Sequence, residues 1–544
     1  MLRREFIQSA SAIGITSCLS RPLFARAGAS AEYFGLHPFI DAHPEAVFIQ
    51  TTDIAAKTDT AAKLSVGNAF AKEIFVLRDT PGISLASTIA IKPNLTVTFG
   101  TGTSDAGIGI VTDADFMEGL ISGMQEQGFP AANMYLREGN MLADGYCRDD
   151  YALTGYPRMA QRLQVNLTDF PTRKIYASSS DTLEPGTEVI WTDCPEGVVF
   201  KRIGYIAPIH APNSWLLNIA KFKTHGMGMS LCVKNLQGSC VFPYIRFCST
   251  LAEIQAYPAG VLADFQPDLP ARIANLHARH VRDGVPRWDR PGQDSTGGLG
   301  MEVWAQRTCD SHSVTTAGLS IIEGIYGRNG NGFTLGPGPN GEAQDCMVNM
   351  LVFGKNPFLV DVIGTWLGGH EPGNFGLFHI ARERGLCATF NPAEIPLYGW
   401  NAGQPALTPL SAFNRTPLVT NYLRRDYNGG NEAEYHLVNE PYQYSSIARH
   451  EKAAAQPAIS IIGTIRRSDG RAAAIIQYTL PHAGMVVIDV FNAAGERVDA
   501  LVDRWVACGT HMAPWNCMRR AAGSYYIRMR FDSAVTTARI PVAG

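Results

Sequence analysis

From about residue 31 to residue 450, short β-branched runs alternate with stretches whose apolar residues recur at helical spacing. Residues 45–52 (EAVFIQTT), 88–95 (TIAIKPNL), 133–138 (NMYLRE), 201–209, 214–223 and 314–323 read as strands. Between them, residues 113–128 (DADFMEGLISGMQEQG) read as a helix ending in Gly, and residues 375–386 (FGLFHIARERGL) read the same way. This alternation predicts an α/β domain over 31–450, a mainly parallel sheet flanked by helices. Such sheets hold ligands at the carboxyl ends of their strands.

The pattern changes near residues 440–458, where YQYSSIARHEKAAAQPA reads as a linker. Beyond it, residues 459–465, 473–478, 485–491, 524–529 and 537–540 read as strands separated by turns, with no helix. That predicts a small all-β sandwich. Its landmarks are Tyr478-Thr479-Leu480-Pro481, VVIDVFNAAGERVDALV, Gly509-Thr510-His511, Trp515 and AAGSYYIRMR. In this order they resemble the Ig-like domain of flagellar hook-capping proteins, over residues 458–544. The resemblance implies a spacer, or a unit that docks to a protein or a surface, without chemistry of its own.

The first thirty residues, MLRREFIQSASAIGITSCLSRPLFARAGAS, read as an address. Arg3-Arg4 followed by Phe6-Ile7, a weakly apolar stretch and Ala25-Arg26-Ala27 form the pattern of a twin-arginine signal peptide over residues 1–27. The expected destination is the periplasm or the exterior. A basic helix of the mature fold is an alternative, and Ile15-Thr16-Ser17-Cys18 loosely resembles a lipoprotein box, so lipidation at Cys18 is another. After this segment no apolar run reaches the roughly 18 residues of a transmembrane helix. Lys+Arg 46 against Asp+Glu 49 leaves a net charge of −3, which argues against nucleic acid or an anionic membrane as the main partner. None of the 11 cysteines forms a C-x-x-C pair, so neither an iron–sulfur cluster nor a zinc ribbon is expected. Cys508 and Cys517 are the best disulfide candidates, with two buried thiols as the alternative.

Lysine placement carries the strongest chemical signal. Only eleven of the 46 basic residues are lysine, and Lys221, Lys223 and Lys234 fall within fourteen residues, in SWLLNIAKFKTHGMGMSLCVKNLQGS (214–239). The passage reads as a strand ending at Lys223, a Thr-His-Gly-x-Gly turn, and a helix from Ser230 with Gly238 near its end. Lys92, in IKPNLT, likewise ends a strand, before the Gly/Thr/Ser-rich run TFGTGTSDAG. Helix amides, close-approach glycines and lysines together suit a phosphate or carboxylate. A buried lysine also titrates readily enough for Schiff-base or base chemistry, and His225 is a candidate proton carrier or metal ligand. The plainer reading puts Lys221 and Lys223 in solvent on an edge strand and gives His225 a turn hydrogen bond.

Lys92-Pro93-Asn94, Asn218 to His225 (NIAKFKTH) and Lys234-Asn235-Leu236-Gln237-Gly238 resemble the signature of the domain-of-unknown-function family DUF362. SIIEGIYGRNGNG (320–332) and FLVDVIGTWLGG (358–369) resemble its C-terminal half, so the likeness spans about residues 45–400. Ala220 and Glu323 stand where the family often has proline and aspartate. Some relatives carry ferredoxin-type cysteine runs that this chain lacks, so electron transfer is not implied. The resemblance supports the domain and the site and implies no reaction.

Two acids fit the same site. Glu323 ends a strand before Gly324, Gly327, Gly330 and Gly332, and Asp361 lies in an apolar helical stretch where an unpaired carboxylate is costly. Either would orient a lysine, act as a base or join His225 as ligand to a divalent metal; plain ion pairing is the alternative. Gly336-Pro337-Gly338-Pro339-Asn340-Gly341 matches G-x-G-x-x-G only formally, because its prolines and lack of a following helix make it a loop. P-loop, G-x-S-x-G and H-E-x-x-H motifs are absent. His277 and His280 are expected on a solvated helix face, with a metal clip as the lesser alternative, and His370 and His379 are treated as ordinary.

The chain is expected to be an exported protein with a lysine-rich anion or metal site whose reaction the sequence does not establish, and the first reading is an enzyme acting on a phosphorylated or carboxylated small molecule. Lys223, His225 and Glu323 would be catalytic, and Lys92, Asn94, Lys221, Lys234 and Asn235 would bind the ligand. A non-catalytic periplasmic protein that binds an anion or a metal is the alternative.

Overall fold

The structure is a computed structural model describing residues 32–79, 82–95, 108–139, 154–167, 183–292, 297–330, 336, 341–419, 441–444, 458–466, 472–480, 484–506, 509–517, 520–531 and 534–542. Residues 1–31, which include the expected signal peptide, the run TFGTGTSDAG, Cys508 and most of residues 331–340 lie outside these.

A ten-stranded sheet organises residues 47–407. Its strands are β1 (Val47–Thr51), β2 (Thr88–Pro93), β3 (Met134–Leu136), β4 (Asn166–Leu167), β5 (Ser214–His225), β6 (Gly228–Met229), β7 (Leu319–Asn329), β8 (Gln344–Gly354), β9 (Leu397–Asn401) and β10 (Gln404–Leu407). The spatial order is β10-β9-β1-β8-β7-β5-β2-β3-β4, with β6 folded back on the end of β5. The run β7-β5-β2-β3-β4 is parallel throughout, whereas β8 is antiparallel to both of its neighbours. The sheet is thus mixed, though mostly parallel. Residues 201–209, expected in this sheet, instead pair as Arg202–Ile206 with Val189–Asp193 in a separate antiparallel ribbon.

Chain order places the site. The chain runs outward from β2 to β3 and β4, then returns on the other side of β2 with β5 and continues to β7. The direction of winding therefore reverses between β2 and β5. At such a reversal the connections leave the strand ends in opposite directions and open a crevice, the usual ligand position in open α/β sheets.

Helices cover both faces. On one, α1 (Thr60–Ile74), α2 (Ala114–Gln127) and α3 (Tyr156–Leu163) pack over Ile89, Ile91, Leu217 and Ile219. α2 starts where the Asp113 side chain accepts from Phe116 N at 2.9 Å, and it ends at Gly128, whose φ of 108° suits only glycine without strain. On the other face lie the short α4 (Cys232–Asn235), then α5 (Leu269–Arg282), α6 (Gly298–Val314), α7 (Pro357–Leu367) and α8 (Gly376–Glu383). Their apolar residues pack with Ala90, Ala220 and Phe222. Strand alternation thus sends residues 217 and 219 to one core and 216, 220 and 222 to the other.

α5 departs from the expected solvated face. His280 is buried, its Nδ1 2.7 Å from Glu302 Oε2 and its Nε2 2.9 Å from Glu383 Oε2. Trp288 Nε1 and Gln306 Nε2 donate to Glu302 at 2.5 and 2.8 Å, Arg279 pairs with Glu383, and His277 bonds the Trp288 carbonyl. One imidazole so ties α5, α6 and α8 together. Burial opposes its charge, but the two carboxylates outweigh burial and raise its pKa to about 9. Because this exceeds the unfolded value near 6.5, the contribution is complete below pH ~6.5 and is lost as pH rises through 9. Urea denaturation of wild type should show stability falling between pH 7 and 10, and His280→Gln should flatten that fall.

The C-terminal residues form two antiparallel sheets. The strands are β11 (Ala458–Arg466), β12 (Ala472–Leu480), β13 (Gly484–Phe491), β14 (Arg497–Val506), β15 (Gly509–Asn516), β16 (Gly523–Phe531) and β17 (Ala534–Val542). One sheet is β11-β12-β15 and the other β14-β13-β16-β17. Ile476, Val486, Ile488, Trp515 and Ile527 form one buried cluster between them. β14 and β15 were not expected from the sequence. Register shifts where β13 meets β14 break the two-residue alternation that marks a strand.

Candidate functional site

Lys221 and Lys223 are not on an edge. They sit on β5 near the centre of the sheet, each 0% exposed, and each reaches its own set of partners. Lys221 Nζ lies 2.7 Å from Glu323 Oε2 and 3.4 Å from the centroid of the Tyr326 ring. Glu323 also accepts from Asp113 N and Ile325 N, both at 3.0 Å. Asp113 in turn accepts from Tyr326 Oη at 2.5 Å and Lys63 Nζ at 2.7 Å, and Lys63 reaches Asp115 at 2.9 Å. Burial raises the pKa of Glu323, whereas Lys63 and Lys221 overcome burial at Asp113 and lower it.

A second network lies on the other face. Lys92 Nζ donates to Glu138 Oε2 at 2.9 Å, Asn235 Oδ1 at 3.1 Å and the Pro93 carbonyl at 2.6 Å. Glu138 also accepts from Leu95 N at 2.6 Å. Asn235 donates to the Lys92 carbonyl and to Asn218 Oδ1, stitching α4 across β2 and β5. Gly238 closes over this pair: a Cβ there would collide with Glu138 Oε1 and lie 2.7 Å from Lys92 Nζ. Gly238→Ala is therefore expected to cost about 1–3 kcal/mol in chemical denaturation. Gly260→Ala, where a Cβ meets nothing within 4 Å, serves as the near-neutral control.

Between the networks stand Lys223, His225 and Lys234. Lys223 Nζ donates to Asn94 Oδ1 at 2.9 Å and to the Ile110 carbonyl at 2.5 Å. His225, partly exposed as the last residue of β5, accepts from Met227 N through Nδ1 at 3.2 Å, so its neutral ring carries the proton on Nε2. Lys234 is 9% exposed, and its ammonium has no hydrogen bond or ion pair among the described residues. Burial first, then mutual repulsion, holds Lys223 and His225 well below their usual values, and burial brings Lys234 down to about 7. Three basic groups therefore lie close enough to repel one another at the carboxyl ends of β2 and β5, where the reversal of winding is expected to open a crevice.

The expected helix after this strand is a four-residue turn, α4, followed by a 3-10 turn over Leu236–Ser239. Its first amides are not open to a ligand. Asp361 of α7 accepts from Cys232 N and Val233 N, each at 2.8 Å, one on each carboxylate oxygen. Burial raises the Asp361 pKa to about 8 against these donors. Asp361 thus caps α4 from behind.

The candidate metal ligands do not converge. His225 is at the crevice, Glu323 is enclosed with Lys221, and Asp361 is committed to α4. No group of three or more His, Cys, Asp and Glu side chains suited to a metal ion occurs among the described residues. Sequence reasoning missed Lys63, Asp113, Glu138 and Tyr326. Glu138 had a findable signal, since it stands two residues past β3 at the same sheet end as Lys92.

No curated protein matches the chain. Residues 89–366, just over half of the sequence, match the family described as Domain of unknown function (DUF362). The matched stretch runs from β2 into α7 and holds both lysine networks apart from Lys63, and the chain belongs to the DUF362 family.

Proposed function

We propose that the crevice between β2 and β5 binds a small phosphorylated or carboxylated molecule, with Lys234, Lys223 and His225 meeting its negative charge. The observation that carries this reading is Lys234, nine-tenths buried and without a hydrogen bond or ion pair among the described residues, with the Cys248 thiol its one favourable electrostatic neighbour there and two more basic groups beside it. An unpaired buried charge is costly, and a bound anion removes the cost. In this reading Lys92, Asn94, Lys221 and Asn235 shape the crevice, and Glu323 serves as counter-ion to Lys221. His225 Nε2–H donates to the bound anion or protonates a leaving group, and the lowered Lys223 amine is the base or nucleophile of an enzyme.

The second reading is a non-catalytic binding protein. Favouring it, the nearby carboxylates Glu138 and Glu323 are already held by lysines and backbone amides. We route no step through a metal, because the oxygens of Glu323 and Asp361 are already engaged within the protein. A thermal-shift titration with phosphate, pyrophosphate and citrate should stabilise wild type and leave Lys234→Met unmoved. Equal shifts in both proteins would dismiss the site, and turnover of a stabilising compound would select the enzyme.

We further propose export of the chain to the periplasm or exterior through the twin-arginine signal at residues 1–27. The C-terminal residues are proposed to form an Ig-like sandwich. In support, seven strands divide as β11-β12-β15 and β14-β13-β16-β17 around one core. No helix among the described residues is long and apolar enough to cross a membrane.

A further inference from the structure

The outer face of the four-stranded C-terminal sheet carries a pattern unrelated to the crevice. Strand pairing sets Arg497 beside Phe491, Phe491 beside Tyr526, and Tyr526 beside Arg539. One row across β14, β13, β16 and β17 therefore reads Arg-Phe-Tyr-Arg, about 14 Å from end to end at three strand spacings. The alternate residues Val486, Ile488, Val490, Tyr525 and Ile527 point into the core, so this row faces outward. Tyr526 is 39% exposed and the Arg497 side chain 62%.

The neighbouring rows add Arg528, whose guanidinium stacks 4.1 Å from the Phe491 centroid, and Arg530. Asp489 lies beneath Arg497 and Arg530, at 3.3 and 3.5 Å, and is itself 2% exposed. Asp503, opposite Val487, is the other acid on this face among the described residues. Four arginines against two acids leave the face positive on a chain whose net charge is −3. Arg539 is held ready, its Nε and Nη2 3.2 and 2.8 Å from Ser524 Oγ.

We propose that this face binds an acidic polysaccharide of the uronate type. Aromatic rings offer a flat apolar surface to the C–H face of a sugar, and guanidinium forks at either end match carboxylates bidentately. A peptide would be recognised along a sheet edge or in a groove rather than on the flat of a sheet. A membrane would call for a continuous apolar face, whereas here the two adjacent rings are bracketed by guanidinium groups.

The test uses the full chain with polygalacturonate as probe and neutral dextran as control. Polygalacturonate should bind and dextran should not. Arg497→Ser with Arg539→Ser should weaken binding at least tenfold, and Tyr526→Ser several-fold at unchanged charge, with circular dichroism preserved in both. The proposal is overturned if neither variant changes binding, or if Tyr526→Ser has no effect while the arginine pair does, which means unspecific charge attraction. Tighter binding to poly-glutamate or to anionic phosphatidylglycerol vesicles also overturns it.

Discussion

Lys234→Met is expected to stabilise the protein while emptying its site. A lysine that serves the fold has partners, and its removal costs stability. Lys234 has no hydrogen bond or ion pair among the described residues, only the Cys248 thiol within electrostatic reach, and burial has lowered its pKa to about 7. Its folded value lies below the unfolded one, so the penalty is absent at high pH and grows as pH falls from about 10.4 towards 7. Methionine keeps the apolar stem and removes the charge. At pH 7 the gain is expected to be roughly 1–3 kcal/mol, below the ceiling of about 1.4 kcal/mol per pKa unit. Urea denaturation at pH 7 measures it, and a loss of stability would make Lys234 structural.

Lys221→Met is expected to act in the opposite direction and more strongly. Lys221 and Glu323 are both 0% exposed, and Glu323 stands next to a second carboxylate, Asp113, whose backbone amide it accepts. Removing the ammonium leaves Glu323 buried with Asp113 and without its cation, a change that costs about 3–5 kcal/mol when one partner of a buried pair is lost. Glu323 should then take up a proton, because burial already raises its pKa. The loss is therefore expected to shrink as pH falls, and Lys221→Met with Glu323→Gln should recover part of it. Denaturation of the two variants at pH 5 and pH 8 decides this, and additive losses in the double variant would argue against a coupled pair.

These opposite expectations for two lysines thirteen residues apart mark the limit of what the sequence carries. Scarcity and spacing were enough to single out Lys92, Lys221, Lys223 and Lys234, and β-branched runs were enough to put two of them on one strand. The partners were not legible, because each is distant along the chain. Glu138 lies 46 residues from Lys92, Glu323 lies 210 from Asp113, and Asp361 lies 129 from Cys232. No local periodicity encodes such pairs. The same holds for His280, whose apparent solvated face is covered by Glu383 of a helix 103 residues further on. The alternating pattern disclosed the α/β domain but not the reversal of winding between β2 and β5, which is a property of strand order. Short elements misled in a different way. Ser230 onward has helix-forming residues, yet only Cys232–Asn235 winds as α-helix before the 3-10 turn, and a carboxylate from α7 takes its first amides.

The central claim is that Lys234, Lys223 and His225 stand ready for an anion. All three have pKa values pressed down in the unliganded protein. A bound anion favours their charged forms, so binding at pH 8 must draw protons from solution. Calorimetric titration of pyrophosphate at pH 8, in two buffers of different ionisation enthalpy, measures that uptake directly. The account predicts net proton uptake on binding. In Lys234→Met it predicts a smaller uptake and an affinity about tenfold to a hundredfold weaker, as loss of a charged hydrogen bond implies. Binding without proton uptake, or with the same affinity in both proteins, would contradict it.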